Sequence, residues 1–380
     1  FKRMGFSVVN RELFDLESEY IISSNGVYGT IAGILLSIYT MFLFTLGSLR
    51  SLLNKIWSLE TDIDFGFHIP RIGRSEIYKP HDINFFSWEF VEMQDWGNQH
   101  QNYLPPRLKK NKKDIAAQIR VQLGIPLDSW YVCLHFRTNE LHSNRNQSIE
   151  NCIKGIKAIN NAGGWVVRLG DNSMPPLPNM DKVIDYAHSS LKSELMDLYL
   201  ISECKFLIGI SSGPYVVSNL LKKSVLSVNM SDWGASMILK KNDLAIPKHV
   251  YSCSKKRFLS VKEVLEQSNM VQIYGNTLSE YELFENSPEE IFEAIKEFLL
   301  RPSPHEYSDL QKEYNDARRN QLRRCLQKGE PKAEWMPVFR GVPKRDLYME
   351  SYRISAAVYA LGTIANTFLE KAWFMDDFSK

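Results

Sequence analysis

Phe206-Leu207-Ile208-Gly209-Ile210-Ser211-Ser212-Gly213-Pro214-Tyr215 is the stretch that decides the fold. Its mostly apolar first half reads as a buried strand, two hydroxyls and a glycine follow, and a helical pattern then begins. A strand that opens through small residues into a helix leaves backbone N–H groups pointing outward. The helix N-terminus adds about half a positive charge, so the turn suits a phosphate group. Further back, Tyr131-Val132-Cys133-Leu134-His135-Phe136-Arg137 is a second apolar strand with an arginine at its carboxyl end. In an open α/β sheet, ligands bind beyond the carboxyl ends of the strands. A fixed cation and a hydroxyl-rich loop are therefore expected to share one crevice, and that crevice suits a nucleoside diphosphate.

The pattern around these two strands is regular. Strands are expected at 130–137, 165–169, 183–186, 205–210 and 225–228, and helices at 113–123, 148–161, 191–204 and 214–221. Strands alternating with helices imply βαβ units and a parallel sheet, so the fold class is α/β. Ser287-Pro288-Glu289-Glu290 reads as a capping box with proline at the first helical position. Two more helical stretches, near 307–328 and 350–372, close the chain. Pro105-Pro106 and the basic run Lys109-Lys110-Asn111-Lys112-Lys113 read as a solvated linker. The expected organisation is an irregular, aromatic-rich N-terminal region over 1–115, an α/β domain over 116–305, and C-terminal helices over 306–380 that pack back across the domains.

A chain of 380 residues is long enough for two domains and a large core. Its net charge of +2 argues against nucleic acid as the main partner. The five cysteines show no metal-binding spacing, and Cys133 and Cys204 lie in or beside apolar segments, which points to buried thiols and a reducing compartment. Val27 to Leu49 carries no charged residue. Three readings stay open for it: a buried core helix, a membrane-surface element continuing through the amphipathic stretch to Trp57, or a true span. Asp62 and Asp64 form a D-x-D outside the regular α/β part, where chance explains it. No strand is followed by G-x-G-x-x-G, which counts against a dinucleotide-dependent oxidoreductase.

The order of motifs resembles a family of bacterial glycosyltransferases found among surface-polysaccharide genes. The residues that carry the likeness are His135-x-Arg137, Arg145 to Asn151, Gly163 to Asp171, Ile184-Asp185-Tyr186, Met196 to Leu200 and Phe206 to Gly213. The chain is similar, more distantly, to fucosyltransferase-like enzymes. The likeness covers about residues 110–300. It implies a GT-B-like architecture, with two Rossmann-like domains facing a cleft. It also implies inverting, metal-independent transfer from a nucleotide sugar, GDP-fucose-like or another NDP-sugar, to a glycan or lipid-linked glycan acceptor. The nucleotide sugar is then a substrate and no cofactor is expected. The implied location is cytoplasmic, or peripheral at the inner membrane through residues 27–57. After the arginine, Thr138-Asn139-Glu140 departs from the acidic turn common in the fucosyltransferase-like pattern.

By this resemblance Arg137 holds the donor β-phosphate and stabilises the departing diphosphate, since a guanidinium presents a rigid fork to paired oxygens. The alternative is an ion pair with Glu140 or Asp171. His135 either contacts the nucleotide or is a core histidine. Asp197, the charged residue in an apolar run, either accepts bonds from the donor or the Ser211-Ser212-Gly213 loop, or lies on an exposed helix face. Ser211, Ser212 and Gly213 form either a phosphate or ribose cradle or an ordinary helix cap. Glu140 and Asp171 follow strand ends and are the candidates for the base that deprotonates the acceptor. A catalytically silent nucleotide- or glycan-binding module, or another Rossmann-type nucleotide-dependent enzyme, is the rival reading.

Overall fold

The computed structural model describes residues 105, 107–136, 146–210, 212–231, 238–266, 281–301, 306–327 and 360–373. The expected N-terminal region, including 27–57 and the Asp62-x-Asp64 pair, falls outside these residues apart from its last few positions.

The architecture is α/β with a parallel sheet. Helix α1 (Lys110–Gln122) precedes β1 (Tyr131–His135). A 3-10 turn at Glu150–Cys152 leads into α2 (Ile153–Asn161), followed by β2 (Trp165–Leu169) and β3 (Val183–Ile184). Then come α3 (Glu194–Glu203), β4 (Leu207–Gly209), α4 (Gly213–Leu220) and β5 (Val225–Met230). After β6 (Leu244–Pro247), strands β7 (His249–Ser252), β8 (Arg257–Phe258) and β9 (Tyr281–Phe284) form a separate antiparallel sheet in the order β8-β7-β9. Helix α5 (Val261–Glu266) lies between β8 and β9. Helices α6 (Pro288–Leu300) and α7 (Asp309–Gln327), strand β10 (Thr363–Ile364) and helix α8 (Asn366–Ala372) complete the described chain.

The main sheet has seven strands in the order β10-β6-β5-β4-β1-β2-β3, with every pair parallel. Read from β3 to β6, this is the doubly wound, Rossmann-like order, which reverses between β1 and β4. Successive side chains alternate between the two faces. Val132, Leu134 and Phe136 pack with Ile156, Ile291, Ile295 and Phe368 of α2, α6 and α8. Tyr131 and Cys133 belong instead to the core formed with Ala116, Met196, Leu200 and Tyr215 of α1, α3 and α4. Both faces are thus covered, as the continuous apolar runs of the strands require.

Several boundaries differ from expectation for local reasons. The basic run at 109–113, expected as linker, opens α1: the Lys109 carbonyl accepts from the Lys113 N–H at 2.9 Å, and Lys113 pairs with Glu203 of α3 at 2.9 Å. Helix α3 starts at Glu194, later than the periodicity suggests, because the Ser193 hydroxyl caps it by accepting from Met196 N–H. The capping box at Ser287 and Glu290 forms as expected. The stretch near 350–372 is not one helix, since Thr363 and Ile364 are extended beside Leu244 and Ala245 of β6. The sheet begun before residue 305 therefore takes its last strand from well beyond it.

Candidate functional site

The sheet's reversal sets the geometry. His135 at the end of β1 pairs with Leu169 of β2 on one side and Gly209 of β4 on the other. The two stretches singled out in the sequence therefore end side by side at their carboxyl ends. The helices that follow β1 and β4 pack on opposite faces of the sheet, the topology that opens a ligand crevice in doubly wound folds.

On the β4 side, Ser212 is the N-cap residue of α4 and Gly213 its first residue. The Ser212 hydroxyl makes no capping bond, and its buried oxygen has no hydrogen-bond partner. A β-carbon added to Gly213 would meet no atom within 4 Å. The fold itself therefore places no steric demand on that glycine. The ordinary cap reading fails for the Ser212 side chain. Ser211, Arg137 and Glu140 lie outside the described residues.

On the β2 side, Asp171 follows the strand after Gly170. The backbone N–H of Ser173 donates to its Oδ1 at 2.9 Å and the Ser173 hydroxyl donates to the same oxygen. These two bonds hold the carboxyl below the ordinary aspartate range, and the charges of Lys192 and His135 add to the effect. Asp197 sits in the first turn of α3. Burial pushes its pKa up, while Lys192, 3.7 Å away, and the nearby Tyr186 hydroxyl oppose that rise. Tyr186 is buried, its hydroxyl donates to the Ser193 carbonyl at 3.2 Å and accepts from the Ser193 N–H at 3.0 Å, and burial raises its pKa.

His135 ends β1 and Asp171 follows the adjacent β2. The His135 and Lys192 charges act on Asp171, and Lys192 donates to the Gly170 carbonyl beside it while standing 3.7 Å from Asp197. Lys192 escaped the sequence reading because no motif marks it. A second cation, Lys248, lies just past β6, is almost fully buried and donates to the Asn146 carbonyl at 2.9 Å. Burial lowers its pKa, with Glu285 opposing. Arg168 of β2 is also buried, but Asp185 at 3.1 Å and the Pro175 carbonyl claim it. Its role is to brace the 175–185 loop.

Among the described residues, no three or more His, Cys, Asp or Glu are grouped so as to hold a metal. None of the helices among them is long and apolar enough to cross a membrane. No family model matches the chain, and no curated protein matches it.

Proposed function

We propose that this chain is an inverting glycosyltransferase. It moves a sugar from a nucleotide-sugar donor, GDP-fucose-like or another NDP-sugar, to a glycan or lipid-linked glycan acceptor in bacterial surface-polysaccharide synthesis. In this reading the α/β domain binds the donor and residues 1–115 supply the acceptor side of a GT-B-like cleft, with 27–57 touching the inner membrane from the cytoplasm.

One observation carries the proposal. The strand order reverses between β1 and β4, the two strands that lead into the H-x-R and Ser-Ser-Gly motifs. The buried Ser212 hydroxyl without a partner supports it, because a donor phosphate or ribose oxygen would satisfy that group. So do His135 and Asp171 at the ends of the adjacent strands β1 and β2, with Lys192 bridging the Gly170 carbonyl and Asp197.

The chemistry then runs as a single displacement. A carboxylate removes the proton from the acceptor hydroxyl, whose oxygen attacks the anomeric carbon. The bond from that carbon to the β-phosphate oxygen breaks, and the nucleoside diphosphate leaves with the electron pair. Arg137 and the N–H groups opening α4 take up the growing negative charge. Asp171, held ionised by Ser173, can accept a proton but is weakly basic; Glu140 is the second carboxylate available. The family resemblance implies that no metal takes part, so turnover should persist in EDTA.

A thermal-shift screen of nucleoside diphosphates tests the reading, because a ligand that binds only the folded chain raises its melting temperature. Donor hydrolysis with the best-binding nucleotide's sugars then separates a transferase from a silent binding module. A screen in which no nucleotide moves the melting temperature overturns the proposal.

A further inference from the structure

Lys192 stands where three pieces of the chain meet. Its ammonium donates to the carbonyl of Gly170 at the end of β2 and lies 3.7 Å from the Asp197 carboxylate. It also sits 5.5 Å from the centre of the Tyr186 ring, in cation–π range. The backbone that carries it is pinned on both sides. The Lys192 N–H donates to the Ser189 carbonyl at 3.2 Å, and Ser193 is held through both its N–H and its carbonyl by the Tyr186 hydroxyl. A lysine tethered in this way is a preplaced charge rather than a loose surface amine.

We infer that Lys192 is a positioning residue of this site, a fixed ammonium that ties the end of β2 to α3 and supplies the counter-charge under which Asp197 serves a ligand. The inference rests on the reading of the crevice as a nucleotide-sugar site. The surroundings of Asp197 explain why the cation is needed. Burial pushes that carboxyl toward its neutral form, and the Glu194 charge pushes the same way. The Cys133 thiol, buried beneath, offers no positive charge. The Tyr186 hydroxyl is neutral and donates its proton to the Ser193 carbonyl. Lys192 is the cation among the groups acting on Asp197. With the ammonium gone, Asp197 would bind a proton at higher pH and present a donor where an acceptor stood.

The test uses Lys192→Met and Lys192→Arg in the full chain. The Asp197 carboxyl is titrated by carbon-13 NMR, its signal assigned with Asp197→Asn, and GDP and UDP affinities are measured by calorimetry across the same acid range. In Lys192→Met the Asp197 midpoint should move up. Nucleotide affinity should fall about tenfold or more, the loss growing as pH drops, in line with a charge-assisted bond. Lys192→Arg should return both toward the wild-type values. An unmoved Asp197 midpoint in a folded Lys192→Met protein overturns the inference, as does equal loss in both variants. If the wild-type chain binds neither nucleotide, the nucleotide-site reading fails by itself, and the NMR titration still decides whether Lys192 governs Asp197.

Discussion

His135 and Gly209 face each other across the β1–β4 join, and a β-carbon on Gly209 would lie 2.7 Å from the His135 carbonyl oxygen. Backbone cannot give way as a flexible side chain can. The glycine therefore lets the two strands close at the point where the sheet reverses. Gly209→Ala should destabilise the fold by about 1–3 kcal/mol, the range for overpacking a buried site. Chemical denaturation measures this, and a variant as stable as wild type would show that the strands part here at little cost.

Gly213 gives the opposite forecast from four residues on. Its surroundings leave room for a side chain. Gly213→Val should fold with near-normal stability and lose nucleoside diphosphate affinity, because the added bulk stands where a donor would approach the main chain. Calorimetric titration of the folded variant decides. Unchanged affinity would move the donor site away from this turn.

Ser212 separates cap from cradle. A capping serine lost to alanine lowers stability by about 1 kcal/mol. Here the hydroxyl makes no cap bond and is buried without a partner. Ser212→Ala should therefore leave stability unchanged or raise it, while weakening nucleotide binding by about 1 kcal/mol, one neutral hydrogen bond. Thermal melts with and without nucleotide test both halves. A destabilised variant with intact affinity would restore the ordinary cap.

The sheet's centre was legible because its signals are local. Trp165–Leu169 is apolar but for Arg168 and is closed by Gly170, and its observed bounds match the expectation. Beyond β5 the determinants are distant in sequence. β6 is short and ends in Pro247, and its register depends on Asp243. That buried carboxylate accepts from the Val225 and Lys240 N–H groups at 2.9 Å each. β10 contributes two residues, too few for an alternating pattern to register. The β7–β9 ladder pairs His249 with Phe284 across an intervening helix. At the site, His135, Asp171, Ser212 and Gly213 could be chosen because each ends or follows an apolar run, and Asp197 because its charge interrupts one. Lys192 could not, since its meaning depends on how Tyr186 folds the chain back onto Ser193.

Arg137→Ala should leave the fold intact and lower transfer about a hundredfold, the cost of removing roughly 3 kcal/mol of charge stabilisation made in the transition state. The prediction rests on the guanidinium following a strand that ends at the sheet's reversal. Steady-state kinetics with the preferred donor gives the number, and a folded variant with near-normal turnover would remove Arg137 from the mechanism.

Glu263 provides a test of fold electrostatics that is independent of function. Arg257 grips its carboxylate with both ends of the guanidinium, Nη1 at 2.8 Å from Oε2 and Nη2 at 2.6 Å from Oε1. Lys255 and the Ser260 N–H add further bonds at 2.9 and 3.1 Å. The Arg257 hydrogen bonds lead in drawing the Glu263 pKa down to about 2. A carboxyl depressed in the folded state binds fewer protons there than in the unfolded chain. Its stabilisation is therefore complete above the unfolded glutamate pKa and is lost as pH falls from there toward about 2. Because the group is largely solvated, the effect should be modest and should shrink with added salt. Glu263→Gln should melt lower than wild type at neutral pH, and the gap should close as the solution is acidified through that window. A gap that stays constant down to the acid end would mean that packing, not the charged fork, is what Glu263 contributes to the β8–α5 turn.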